Sequence, residues 1–264
     1  MKPIAFDLGG FKIHWYGILV AVGFLLGIWT ASRRAPREGI AAEKIIELGP
    51  WLLLGTILGA RALFVLSYWD EEFAGKPLIN IFKVRSGLVF YGGLIGASLA
   101  IVLKAWLSKL PLWKLADILA PSIALGHAVG RWGCLMTGCC YGRASSLPWA
   151  IRFPEGHETH PIGRPATPVH PTQIYESLLN LALYVALAWL FRRKKFDGQI
   201  FATYLVCYAC LRSFVELFRG DYPVYQRFLG VATPAQMVSV GILVAGVMLF
   251  LLLPRTLKSV QPKP

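Results

Sequence analysis

Trp15-Tyr16-Gly17-Ile18-Leu19-Val20-Ala21-Val22-Gly23-Phe24-Leu25-Leu26-Gly27-Ile28-Trp29-Thr30-Ala31-Ser32 carries no charge along its whole length and ends on Arg33-Arg34. A helix needs about 20 mostly apolar residues to cross the hydrocarbon core of a bilayer. The basic pair that follows is not a small-residue cleavage site, so the run is expected to be a retained first helix rather than a removed signal peptide. Working outward, runs of the same kind recur at about 45–68, 88–107, 115–134, 172–191, 199–218 and 234–253. Only 16% of the 264 residues are charged, against about 25% in an average soluble domain, and mean hydropathy is +0.55. The runs fill most of the chain and leave no room for a sizeable soluble domain. The expected fold is an all-α integral membrane protein of about seven transmembrane helices, one polytopic domain over residues 1–254 with a polar tail at 255–264.

The net charge is +13. Much of the excess sits in short connections: Arg33, Arg34, Arg37 and Lys44; Lys104, Lys109 and Lys114; Arg192, Arg193, Lys194 and Lys195; and Arg255, Lys258 and Lys263 in the tail. This pattern orients a membrane protein and needs no nucleic acid to explain it. It alternates with balanced connections, where Asp70, Glu71 and Glu72 offset Lys76, Lys83 and Arg85, and Asp221 accompanies Arg219 and Arg227. The N-terminus is therefore expected outside and the C-terminus in the cytoplasm. Outward segments are expected at about 69–87, 135–171 and 219–233. The long middle one, rich in Pro, Gly and His, is either functional or disordered.

Charges at membrane depth mark function or pairing. Arg61 lies inside the second run, Arg131 ends the fourth, Glu176 opens the fifth, and Arg212 and Glu216 sit in the outer part of the sixth. Arg212 and Glu216 are one helical turn apart and could simply neutralise each other. Burying such a pair is rarely a net gain, and all but Arg61 fall at outward helix ends. A shared outward pocket is thus the expected arrangement. Arginine's permanent charge and planar fork suit phosphate, so a phospholipid headgroup is the expected ligand. The stretches Tyr91-Gly92-Gly93-Leu94-Ile95-Gly96 and Gly126-His127-Ala128-Val129-Gly130 have small residues at helical spacing, which serve close helix packing or make room for a lipid. Polar residues gathered on one side argue against a through-going transport path.

The stretch Gly130-Arg131-Trp132-Gly133-Cys134-Leu135-Met136-Thr137-Gly138-Cys139-Cys140-Tyr141-Gly142 resembles the signature of the prolipoprotein diacylglyceryl transferase family. So do His14-Trp15-Tyr16-Gly17, the segment Gly87 to Gly96, His170-Pro171-Thr172-Gln173-Ile174-Tyr175-Glu176, the set Tyr208, Arg212, Glu216 and Arg219, and the segment holding Gln236. Their order agrees over about residues 11–240. The resemblance implies a bacterial inner-membrane enzyme whose active site faces the periplasmic or outer side. Such an enzyme moves a diacylglyceryl group from phosphatidylglycerol to the lipobox cysteine of a preprolipoprotein. It forms a thioether, releases glycerol phosphate, and needs no metal or organic cofactor. Partners implied are phosphatidylglycerol, the lipobox peptide and membrane lipids. Arg131 and Arg212 would hold the phosphate and Glu216 would orient Arg212. Tyr16, His170, Tyr175, Glu176 and Tyr208 would line or brace the pocket.

The chain departs from the family pattern at three places. Tyr91 stands where a histidine is usual, Cys134 replaces the signature asparagine, and Cys139 replaces the signature glutamate. Tyrosine, with a pKa near 10, is a poor base at neutral pH. Tyr91 is taken as a catalytic position, and Cys134 and Cys139 as substrate-binding ones. Either the chemistry is kept with altered roles, or the scaffold binds lipid or lipoprotein without transfer. A cysteine-dependent reaction is a further alternative. Cys134 could form a disulfide with Cys139 or Cys140. A zinc site with His157, His160 or His170 has irregular spacing, and a reactive thiol beside Arg131 is equally open. Cys207 and Cys210 read as small apolar packing residues.

Overall fold

The computed structural model describes residues 3–82, 87–221 and 233–256. Lys83, Arg85, Arg227, Lys258, Lys263, most of the expected 219–233 connection and most of the 255–264 tail lie outside the described residues. Among the described residues there are seven helices of 18 residues or more: α1 Trp15–Arg34, α3 Leu48–Ser67, α4 Phe90–Leu107, α5 Leu112–Thr137, α6 Thr172–Phe191, α7 Gln199–Glu216 and α8 Pro234–Thr256. Each coincides with one of the seven apolar runs. A short helix, α2 Ala42–Ile46, precedes α3. The break between them follows from Pro50, whose ring obstructs the carbonyl four residues back, on Ile46.

Five stretches are long and apolar enough to cross a membrane: Trp15–Glu38, Ala42–Ser67, Phe90–Leu107, Thr172–Phe191 and Pro234–Arg255. Leu58, Leu66, Leu99, Trp106 and Val185 stand exposed on them. In water such a surface would be a liability; in lipid it is the expected exterior. The two long helices missing from that set are α5 and α7. They bear Asp117 and Arg131, and Arg212 and Glu216, so the polar residues that lower their hydropathy are the ones of functional interest.

The all-α expectation needs one correction. Residues Ile4–Leu8 (β1) and Phe11–His14 (β2) pair antiparallel, with Asp7 opposite Lys12 and Phe6 opposite Ile13. Gly9 and Gly10 make the turn at φ +63° and +106°, values that favour glycine. The hairpin is tied to the start of α1 by Trp15 N–H donating to the Pro3 carbonyl at 3.0 Å. The 138–171 connection is ordered, with bridges between Ala144 and Val169 and between Ile151 and Val169.

The chain divides into two compact units, residues 1–31 with 116–264, and residues 32–115. In the first, Gly23 of α1 meets Gly126 of α5 so closely that a Cβ on Gly23 would lie 2.9 Å from the Gly126 carbonyl oxygen. Thr30 and Ser122 hydroxyls bond across the same two helices at 2.9 Å. Asp117 of α5 is fully buried. It accepts from Lys194 Nζ at 3.1 Å and from the backbone N–H groups of Gly198 (2.8 Å) and Phe201 (3.0 Å). Those donors are orphans of the first turn of α7, so a carboxylate from α5 caps α7.

In the second unit, α3 and α4 pack through glycine. Gly55 and Gly59 face Gly92 and Gly96, and a Cβ on any of the four would overlap the opposing backbone. The glycine stretch at 92–96 is therefore helix packing. Gly126 packs in the same way, whereas Gly130 has open space beside it. Arg61 of α3 is buried. It donates to the carbonyls of Ile81 (2.7 Å), Asn80 (2.8 Å) and Gly87 (3.2 Å), and its guanidinium lies over Phe64 and Phe73.

Candidate active site

The last turns of α5 and α7 and the first turns of α6 bring their charges together within the first unit. Arg131 Nη2 donates to Glu176 Oε1 at 2.7 Å. Its Nε donates to His127 Nε2 at 3.1 Å. His127 Nε2 also lies 3.2 Å from Glu176 Oε1, so the imidazole, the guanidinium and the carboxylate meet at one point. The third arginine nitrogen, Nη1, lies 3.7 Å from Cys134 Sγ. Ser177 Oγ, one residue after Glu176, donates to the Ala128 carbonyl at 2.8 Å and locks α6 against α5.

Arg212 Nη1 sits 2.6 Å from Glu216 Oε2, the one-turn pairing that the sequence left open. The approach is not aligned as a hydrogen bond. Arg212 Nη1 and both Glu216 oxygens are buried and have no hydrogen-bond partner among the described residues. Such atoms cost stability unless something else satisfies them. Arg131 thus pairs with Glu176 of α6, and Arg212 with Glu216 on its own helix. Tyr208 packs beside this cluster, its ring 5.5 Å from that of His127 and 5.7 Å from that of Tyr204.

Tyr16 presses on Gly133, where a Cβ would lie 3.0 Å from its ring. It borders a cavity of about 650 Å³ lined by Ile13, His14, Gly17, Ile18, Ala21 and Thr137 as well. The Thr137 hydroxyl is 3.3 Å from Cys139 Sγ. The sulfur atoms of Cys134, Cys139 and Cys140 lie within 4.8 Å of one another, and none is in a disulfide. Hydrogen bonds from the Cys134 and Cys140 thiols, with Thr137 and the field of Arg131, hold the Cys139 thiol below the ordinary thiol range.

His170 and Tyr175 form a separate aromatic group. The Tyr175 hydroxyl is 3.2 Å from His170 Nδ1 and accepts from Trp149 Nε1 at 2.7 Å. Both rings pack on Phe218. Their bonds and ring contacts are with these neighbours and not with Arg131 or Arg212. Tyr91 belongs to the other compact unit, exposed at the start of α4 with its ring against Phe90. The residues that sequence reading missed are His127, Thr172 and Gln173. His127 lies four residues before Arg131, hence on the same helix face, but its glycine neighbours drew attention to packing. Thr172 and Gln173 were quoted within a motif and given no role.

Arginines from two helices, each paired with a carboxylate among long apolar helices, mark a polytopic helical membrane protein with charges held at helix ends. A family model described as prolipoprotein diacylglyceryl transferase matches residues 3–252. The chain is similar to a phosphatidylglycerol–prolipoprotein diacylglyceryl transferase of Finegoldia magna, 38% identical over 94% of this chain and 94% of that protein. Proteins of the same description from Synechococcus elongatus and Bacillus cytotoxicus are 35% and 34% identical, over 93% and 97% of this chain and 85% and 93% of theirs. The chain belongs to the prolipoprotein diacylglyceryl transferase family, a bacterial family of multi-pass membrane proteins.

Proposed function

We infer that this protein is a phosphatidylglycerol–prolipoprotein diacylglyceryl transferase, which transfers a diacylglyceryl group from phosphatidylglycerol to a prolipoprotein. The acceptor is the lipobox cysteine. Its sulfur attacks the glyceryl carbon that bears the phosphate, a C–S bond forms, and the C–O bond breaks with its electron pair going to the phosphate oxygen. The thiol proton is released, and the products are a thioether and glycerol phosphate. Arg131 and Arg212 grip the phosphodiester and stabilise the charge that grows on the leaving oxygen. Glu176 and His127 aim Arg131, and Glu216 aims Arg212. Tyr16 borders the apolar cavity that receives acyl chain or lipobox side chains. Seven helices cross the bacterial inner membrane with the N-terminus outside, and the pocket opens on the outer side.

The observation that best supports this reading is the incompletely satisfied Arg212–Glu216 pair beside a carboxylate already engaged by Arg131. A phosphodiester offers the Arg212 fork further acceptor oxygens beside the single carboxylate that it pairs with. The test is to incubate purified protein with phosphatidylglycerol and a lipobox peptide and to weigh the peptide. The expected result is the mass of one diacylglyceryl group on the thiol, abolished by Arg131→Ala and by Arg212→Ala in protein that still inserts. Labelling by either variant at the wild-type rate would refute the clamp. The alternative, a lipid- or lipoprotein-binding protein on the same scaffold, predicts no mass shift in wild type and no rescue of cells depleted of their own transferase.

A further inference from the structure

We propose that Cys134, Cys139 and Cys140 form a three-thiolate site for a thiophilic divalent metal of the zinc type, whose fourth position takes the acceptor thiol. The proposal rests on the transferase reading given above and departs from the expectation of a metal-free reaction.

The geometry is close to what such an ion needs. Sulfur ligands sit about 2.3 Å from zinc, which puts tetrahedral sulfurs roughly 3.8 Å apart. The three sulfurs here lie within 4.8 Å of one another, so small rotamer adjustments close the site. The backbone is built for this convergence. Cys134 lies in the last turn of α5, after which Gly138 at φ +80° and Cys140 at φ +62° fold the chain back. A residue with a side chain rarely adopts the latter value. Cys139 N–H closes on the Cys134 carbonyl at 3.2 Å. From α6, the buried side chains of Gln173 and Thr172 hold the carbonyls of Cys139 (2.7 Å) and Cys140 (2.6 Å). Oε1 of Gln173 is itself buried without a hydrogen-bond partner among the described residues.

The charge balances as well. Three thiolates and a divalent ion sum to −1, beside Arg131 at 3.7 Å from Cys134 Sγ. Among the described residues the converging ligand atoms are those of the three cysteines, with no histidine or carboxylate among them. Three protein ligands therefore leave one position open, as catalytic zinc sites do. Thr137, hydrogen-bonded to Cys139, also lines the cavity, which gives the open position access. The reaction's nucleophile is itself a thiol, and a coordinating thiol is deprotonated outright. The acceptor's proton passes to water on coordination. Its sulfur then forms the C–S bond as the C–O bond to phosphate breaks, and the metal keeps its oxidation state throughout.

The test uses the full-length protein in detergent, stripped with chelator and titrated with Co²⁺. One equivalent is expected to bind with a sulfur-to-cobalt charge-transfer absorption, read on folded wild type. Each single Cys→Ser variant should weaken that absorption and the triple variant should lose it, while Cys210→Ser, on α7, leaves it unchanged. Gln173→Leu should weaken binding by about tenfold, the usual effect of losing a group that orients a metal ligand. Transfer to a lipobox peptide should fall at least about tenfold on stripping, and Zn²⁺ should restore it. If wild type takes up no stoichiometric Co²⁺, or if the triple variant transfers lipid at the wild-type rate, the metal site is wrong and the transferase reading stands. A Cys134 disulfide that persists in protein purified under reductant would also overturn it. Metal bound through the three thiols in a protein that transfers no lipid with or without Zn²⁺ would uphold the site and refute the transferase reading.

Discussion

Arg61 and Arg212 are both arginines at membrane depth, and the structure uses them in opposite ways. Arg61 spends its donors on the carbonyls of Asn80, Ile81 and Gly87 and its flat faces on Phe64 and Phe73. Arg212 has one buried nitrogen close to a carboxylate in poor alignment, and both oxygens of that carboxylate lack hydrogen bonds among the described residues. A buried charge by itself does not mark a working site. A guanidinium consumed by backbone carbonyls closes a loop, whereas one left with spare capacity is ready for a ligand.

That contrast can be broken by experiment. The largest effect is expected from Arg61→Ala, which strands three carbonyls at about 1–3 kcal/mol of stability each. It should appear as lost membrane yield and a lowered thermal midpoint in detergent; normal yield with no activity would make Arg61 a site residue after all. Next is Arg212→Ala combined with Glu216→Gln, so that no buried carboxylate is left unpaired, expected to leave yield intact and to lower transfer at least about 10²–10³-fold, the scale of losing one positioned donor to developing charge. A collapse in yield instead would put Arg212 in the same class as Arg61. Gly59→Val should push α3 from α4 at a cost of about 1–3 kcal/mol, visible as protease sensitivity within the 32–115 unit. Gly130→Ala, with nothing within 4 Å of the new methyl, should change the thermal midpoint least, by less than about 1 kcal/mol in stability.

The long helices were legible because apolar runs of bilayer length announce themselves without help from tertiary structure. The hairpin was not. Its Gly9-Gly10 turn is a hairpin signal, but the strands are five and four residues long and stand beside an apolar run that dominates any hydropathy count. At the site, Arg131, Glu176, Arg212 and Glu216 were found because charge inside an apolar run is conspicuous. His127 was not, since a single imidazole among glycines makes little mark on hydropathy. Asp117 escaped because it lies near the expected start of its helix, where a carboxylate passes for an interfacial residue. Only the fold shows that it is fully buried and engaged with Lys194. The grouping of His170 with Tyr175 depends on where Trp149 and Phe218 fall, which spacing along the chain does not encode.

The Asp117 cap on α7 makes that helix a strut bolted at its foot. Arg212 stands eleven residues above Phe201, about 17 Å along the axis at 1.5 Å per residue. The height and compass bearing of the Arg212 fork are therefore set by a carboxylate at the far end of the same rod. One alanine inserted between the two would swing the fork by about 100° and raise it by about 1.5 Å, without touching any residue of the pocket.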